Sequence, residues 1–273
     1  YAEVLKGARF GNALAEFKTK TAAQKQTAIS RTEHGFLVNG EKFYCTGSLF
    51  AHRIPTLVKD EHNREFLVFV PRDSQGLDIT DDWTGFGQKT TGSGSVKFNR
   101  VKVAEEDIVP FDVAFSSPTL VGPFAQIMHA AIETGIARAA FEETLIRVRQ
   151  ARPWIDSKVD AATDDPLTKF ELGRLIADVR ASEVLLKQAA RSIDSAKPAP
   201  TEENIATASL DVAKVRAHST ETALKVSSKL IELAGSRGSQ REDGLDRFWR
   251  NARVHTLHDA SRWKYYFIAN YAV

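Results

Sequence analysis

At 273 residues, with 42% hydrophobic and 26% charged content, the chain is long enough to bury a sizeable core in one or two domains. Its 37 Lys and Arg nearly balance 35 Asp and Glu, and a net charge of +2 makes a nucleic-acid-tracking surface an unexpected use of the fold. The single cysteine, Cys45, excludes an internal disulfide and any multi-cysteine metal site, and fits a reducing, cytoplasmic setting; no apolar run of about 18 residues is present to span a membrane.

The first hundred or so residues read as β-structure. Phe36-Leu37-Val38 and Lys42-Phe43-Tyr44-Cys45 flank Asn39-Gly40, a dipeptide suited to the positive φ angles of a two-residue hairpin turn, so a hairpin is predicted there. Phe66 to Val70 form an apolar run that stops at Pro71, and Ser95-Val96-Lys97-Phe98 leads through Asn99-Arg100 to Val101-Lys102-Val103. These runs predict a compact barrel or sandwich over residues 1–115.

From about residue 120 the apolar period becomes helical. Ile127, Ala130, Ala131, Thr134, Ile136, Ala140 and Leu145 recur in a proline-free stretch that ends at Pro153. A second helix starts after Asp165-Pro166, with Leu172, Leu175, Ile176, Val179, Leu186 and Ile193 largely on one stripe, and is broken at Lys197-Pro198-Ala199-Pro200. A third opens at Thr201-Glu202-Glu203, a hydroxyl cap followed by acids, and runs toward Gly235; a fourth follows at about Leu245. Short connections predict an antiparallel four-helix bundle over 116–273, and β-structure followed by helices is the α+β class. The chain opens at Tyr1 in mid-pattern, without an initiator methionine, so an upstream segment is expected.

Read by pattern alone, the polar residues have ordinary explanations. Thr46 ends a strand, Tyr44 and Trp83 are core aromatics, Asn12 beside Gly11 is a turn residue, and Asp259 caps a following helix. Gly235-Ser236-Arg237-Gly238 is a helix stop, and Cys45 is a small buried hydrophobe. His255 and His258, three residues apart, would share a helical face at a spacing a metal could use, but no carboxylate or cysteine cluster accompanies them and no metal site is expected.

Several strings change this balance: Arg9-Phe10-Gly11-Asn12-Ala13, Lys42 to Gly47, Asp82-Trp83-Thr84-Gly85-Phe86-Gly87-Gln88, Arg152-Pro153-Trp154, and above all Arg247 to Asp259, which ends His255-Thr256-Leu257-His258-Asp259. Together they resemble the middle and C-terminal domains of the acyl-CoA dehydrogenase superfamily. Within it they are similar to the reduced-flavin monooxygenases, namely dibenzothiophene monooxygenases and, more closely, sulfur-acquisition oxidoreductases of the SfnB type.

The resemblance implies a reaction in which reduced FMN from a separate reductase meets O2 and oxygenates a small organosulfur compound through a C4a-peroxyflavin. It further implies a homodimer or homotetramer, and an N-terminal helical domain, supplying one active-site histidine, that has no counterpart here. On that alignment Thr46 faces the reactive edge of the flavin and Tyr44 and Trp83 flank the ring. Asn12 hydrogen-bonds the flavin or bound oxygen, and Arg152 and Arg237 meet phosphate. His258 lies beside the flavin as proton donor. Asp259 stands where true dehydrogenases carry the glutamate base. Two alternatives remain at this stage: an FAD-dependent acyl-CoA dehydrogenase or oxidase using Asp259, and a non-catalytic flavin-fold scaffold that works through subunit association.

Overall fold

The structure, a computed structural model, describes residues 2–17 and 26–273. Two compact units emerge: Tyr1–Gly85 with Lys89–Ser117, and Phe86–Gln88 with Pro118–Val273.

The first unit carries a short helix, α1 (Ala2–Leu5), and seven strands: β1 (Ala28–Thr32), β2 (Gly35–Lys42), β3 (Arg53–Lys59), β4 (Glu65–Pro71), β5 (Leu77–Thr80), β6 (Ser95–Val103) and β7 (Ile108–Pro110). They form one mixed sheet in the order β5-β6-β2-β1-β3-β4-β7, in which β1 and β3 pair in parallel and the other neighbouring strands antiparallel. Alternating β-branched residues supply the inward face. Ile29, Val38, Ile54, Val58, Val68, Val70, Val96 and Val101 gather into a single core. Strands well apart in the order, β4 and β6, share that core, so the sheet curls around it.

The hairpin predicted at Asn39-Gly40 is not there. β2 runs unbroken through both residues, and the turn lies earlier, at Glu33-His34, where Thr32 pairs with Gly35 and Gly35 takes φ +116°. The positive φ of Gly40, +145°, serves packing instead, since a Cβ there would sit 2.7 Å from the Thr27 Cα. Opposite it, β6 bulges: Val38 pairs with Val101 but Gly40 with Phe98, and the extra residue Arg100 adopts φ +52°. The Asn39 side-chain oxygen accepts the Arg100 N–H at 2.8 Å and closes the bulge. A turn-forming dipeptide is thus used inside a strand, where the neighbouring β6 backbone supplies the ladder bonds.

In the second unit three long helices pack pairwise: α2 (Val121–Gln150), α3 (Pro166–Ala196) and α4 (Glu202–Leu233). Two shorter ones, α5 (Asp246–His255) and α6 (Arg262–Ala272), pack on α4, so two pieces follow where one helix was expected. The cap predicted at Thr201 forms, Asp165 caps the helix that was expected to start after it, and Asp259 does not cap α6, which starts at Arg262 after Ser261. Asp165 accepts from the Leu167 N–H at 3.0 Å and from the Thr168 hydroxyl at 2.9 Å, and Thr201 accepts from the Asn204 N–H at 3.2 Å. The core between helices is built from Ala137, Ala140, Phe141, Leu175, Val226 and Leu230, with Leu245, just before α5, and Ala252 within it. Residues 86–88 clamp α5. The Gln88 N–H donates to Asn251 Oδ1 at 2.9 Å, Arg250 donates to the Phe86 carbonyl at 3.1 Å, and a Cβ on Gly87 would lie 2.1 Å from the Arg250 carbonyl oxygen. No helix among the described residues is long and apolar enough to cross a membrane.

Candidate active site

In the β-unit, β2 ends at Lys42 and the chain turns sharply. Tyr44 takes φ +54°, Gly47 takes φ +77°, and Thr46 lies exposed in the turn between them. Lys42 itself is buried against Glu16, 2.5 Å from its carboxylate, which also accepts from the Thr27 hydroxyl and the Gln26 N–H. The turn packs on the Gly11-Asn12 segment so closely that a Cβ at Gly11 would sit 2.7 Å from the Ser48 Cα. Asn12 does act as a turn residue, its side chain accepting from the Leu14 N–H at 3.2 Å, while its carbonyl accepts from the Ser48 hydroxyl.

Thr46 Oγ1 lies 2.9 Å from Ser93 Oγ, which in turn lies 2.7 Å from Thr91 Oγ1. This three-hydroxyl chain orients the one exposed member. Beside it the Tyr44 ring, about half exposed, meets Trp83 edge to face at 5.7 Å and Phe17 at 4.7 Å. The Trp83 ring lies over Gly85, where a Cβ would be 2.2 Å from the indole. Four expected residues thus fall into one neighbourhood: aromatic surface, an oriented hydroxyl and close backbone. Cys45, fully buried between them, has its thiol pushed up to about 12 by burial and remains inert.

In the helical unit a charged cluster surrounds the His-Thr-Leu-His-Asp string. Arg216 of α4, fully buried, pairs with Glu133 of α2 and with Asp259 at 3.0 Å, and donates to Thr220 Oγ1. The second oxygen of Asp259 pairs with Lys264 at 3.0 Å. Glu133, also fully buried, accepts from the Ser219 and Thr220 hydroxyls at 2.9 Å each and lies 3.2 Å from His255 Nδ1. His255 Nε2 is 3.2 Å from His129 Nδ1, and the His129 ring stacks on His258 at 3.9 Å. The helix ends at His255, so the two string histidines do not share a helical face; His129 joins them instead.

Burial, reinforced by the neighbouring His258 and His255, pushes His129 down to about 4. Burial also lowers His258, against the pull of Asp259. For Glu133 and Asp259 burial acts upward but loses. The His255 hydrogen bond and the Arg216 charge hold Glu133 below the usual carboxylate range, and Lys264 with Arg216 does the same for Asp259. Arg152 is exposed, and Arg237, 84% exposed, reaches only Asp243 at 4.0 Å, so neither guanidinium joins this cluster and both are open to an anion. Among the described residues no group of three or more His, Cys, Asp or Glu is arranged to hold a metal ion.

Sequence reading missed His129, Glu133 and Arg216. One signal was available: Glu133 sits in the Ala130, Thr134, Ala137 stripe of α2, a charge in core register that requires a buried partner. Ser93 and Thr91 gave none, being 47 and 45 residues from Thr46 in an unremarkable Thr-Gly-Ser-Gly run.

The family described as acyl-CoA dehydrogenase, C-terminal domain, matches residues 127–263, half of the chain. The chain belongs to the acyl-CoA dehydrogenase family. Dibenzothiophene monooxygenase of Rhodococcus qingshengii is 31% identical over 93% of the chain, and the probable FMNH2-dependent monooxygenase SfnC of Pseudomonas putida 26% over 97%. FMN-bound TdsC from Paenibacillus sp. A11-2 superposes on all of the chain with a TM-score of 0.94 and 29% identity, the chain covering 72% of that protein. The chain spans 65% of the length of the dibenzothiophene monooxygenase and 67% of SfnC. The acyl-CoA dehydrogenase-like fold, mixed sheet first and helical bundle second, is therefore as the sequence strings implied.

Proposed function

We propose that the chain is the flavin-binding and helical part of a reduced-FMN-dependent monooxygenase acting on a small organosulfur compound. The observation that carries this reading is the likeness over the whole chain to FMN-bound TdsC, alongside kinship with a dibenzothiophene monooxygenase. The residues present suit an isoalloxazine and its phosphate. Tyr44 and Trp83 offer aromatic surface, Thr46 a hydroxyl held by Ser93, Asn12 an amide, and Arg152 and Arg237 exposed forks for phosphate oxygens.

Reduced FMN, when bound, supplies the two electrons with which O2 is activated for transfer to sulfur. The chain's own residues do the rest. Thr46, held by Ser93 and Thr91, would donate its hydroxyl proton to a bound flavin, with Ser93 donating to Thr46, without reorganising. Tyr44 and Trp83 would give a bound ring aromatic surface and keep water off it. His258, neutral at working pH, accepts or returns a proton. A dehydrogenase base at Asp259 is poorly supported, because both its oxygens are ion-paired and its basicity is depressed. We assign Asp259 to anchoring the segment that carries His258. The same reading places the protein in the cytoplasm as a homodimer or homotetramer fed by a separate flavin reductase.

The test is to incubate the purified protein with FMN, an independent reductase and NADH, and to follow dibenzothiophene or a dialkyl sulfone for an oxygenated product. Product with FMN, together with no reduction of bound FAD by acyl-CoA, supports the proposal. Reduction of FAD by acyl-CoA with no oxygenated sulfur would overturn it.

A further inference from the structure

We propose that Glu133, His255 and His129 form a hydrogen-bonded proton relay beside His258, which stores a proton on His255 instead of on the ring stacked against His258. All three are positioning residues, and the inference rests on the reading above only in what the relay is for.

The geometry fixes the protons. Glu133 is ionised beside Arg216 and can only accept, so His255 Nδ1, 3.2 Å away, is the donor. With His255 neutral, its Nε2 is a lone pair, and His129 Nδ1 at 3.2 Å must donate to it. His129 is then locked as the Nδ1–H tautomer, and its Nε2 is the open end of the chain. A proton arriving at that Nε2 needs no charge on His129. The Nδ1 proton passes to His255 Nε2, and the imidazolium forms beside Glu133 and not on the ring stacked against His258. The balance is one proton taken up at His129 Nε2, one shifted to His255, and His129 left neutral as the Nε2–H tautomer.

The surroundings favour this arrangement. His129 faces His255 from α5, His258 and Asp259 from the segment after it, and Arg216 from α4. Two rings at 3.9 Å cannot both be charged cheaply, and His129 is already driven to about 4. Glu133, by contrast, is a buried anion whose Oε1, paired with the Arg216 guanidinium, is also turned to His255. The Ser219 and Thr220 hydroxyls occupy its other oxygen, so the carboxylate cannot rotate away.

Long-range 15N–1H correlation of the imidazoles in the full chain, titrated without flavin, tests the relay directly. Expected is an Nδ1–H tautomer at His129 at high pH that switches to Nε2–H on acidification while the ring stays neutral. In His255→Gln the switch is lost; should that variant fail to fold, Glu133→Gln removes the anion and loses it too. An Nε2–H tautomer at His129 from the start, or a His129 that becomes doubly protonated in the same step in wild type and variants, overturns the proposal. Fluorescence titration with FMN is run alongside: failure to bind FMN counts against the functional reading and leaves the tautomer result standing. With FMN bound, His255→Gln should shift the pH profile of oxygenation and leave FMN affinity within about twofold.

Discussion

Replacing Arg216 with Met removes a fully buried cation from two carboxylates while keeping most of the side-chain volume. Asp259 keeps Lys264, but Glu133 is left buried with two hydroxyls and His255 as its only support. Breaking one side of a buried pair costs about 3–5 kcal/mol because the remaining charge stays out of water. For a cooperative unit of this size each kcal/mol lowers Tm by about 2–4 °C, so a loss of about 6–20 °C is expected for the helical transition followed at 222 nm. The cost should depend on pH, with a definite sign. The folded pKa of Glu133 is depressed, so its stabilisation is fully present above the unfolded carboxyl value near about 4.3 and is lost as pH falls through the folded value. The gap between wild type and Arg216→Met should therefore hold steady from pH 7 down to about pH 4.3 and narrow only below it, as pH falls toward the folded value. Glu133→Leu combined with Arg216→Met removes the stranded charge and should melt above the single variant. A pH-independent penalty, or a double variant no better than Arg216→Met alone, would refute the reasoning.

Other expectations are more local. Gly40→Ala forces a side chain into φ +145° and onto Thr27, and should cost at least about 1–3 kcal/mol by urea unfolding, whereas Gly173→Ala in α3, with open space around it, should be neutral or gain up to about 1 kcal/mol. Thr46→Val should lower oxygenation by about 100-fold if its hydroxyl donates to the flavin edge, and Ser93→Ala by less, since it only frees the rotor; equal loss in both would assign the effect to turn collapse. Cys45 should resist thiol reagents in the folded protein and react once upon denaturation, because burial keeps the thiolate from forming; prompt native labelling would contradict its placement.

The long helices are legible because periodicity and caps agree: Thr201 caps where its sequence position says it should, and α3 starts after Asp165 as expected. Strands β4 and β6 are equally plain from their apolar runs, whereas β1, β3, β5 and β7 are not singled out by theirs, and Phe43 to Cys45 lie beyond the end of β2. What misled was a dipeptide with two uses, since Asn39-Gly40 can either reverse a chain or seat a bulge, and only the distant Thr27 and Arg100 decide. The site divides the same way. His258 and Thr46 were found through strings that resemble a family, whereas His129 lies 126 residues from His255 on α2, where nothing in the neighbouring sequence marks it. Hydrogen bonds between elements remote in sequence leave no local pattern, and the Thr91, Ser93, Thr46 chain is invisible for that reason.

The clamp on α5 by residues 86–88 makes the helical unit discontinuous in the chain. No single cut yields it whole: a fragment beginning at Pro118 would leave Asn251 Oδ1 without the Gln88 N–H and uncover the Arg250 backbone that Gly87 covers. A scan of single substitutions would accordingly misattribute Gly87 if sorted by position along the sequence. Its damage would surface in the helix that carries His255 at its end, some 160 residues downstream of the lesion.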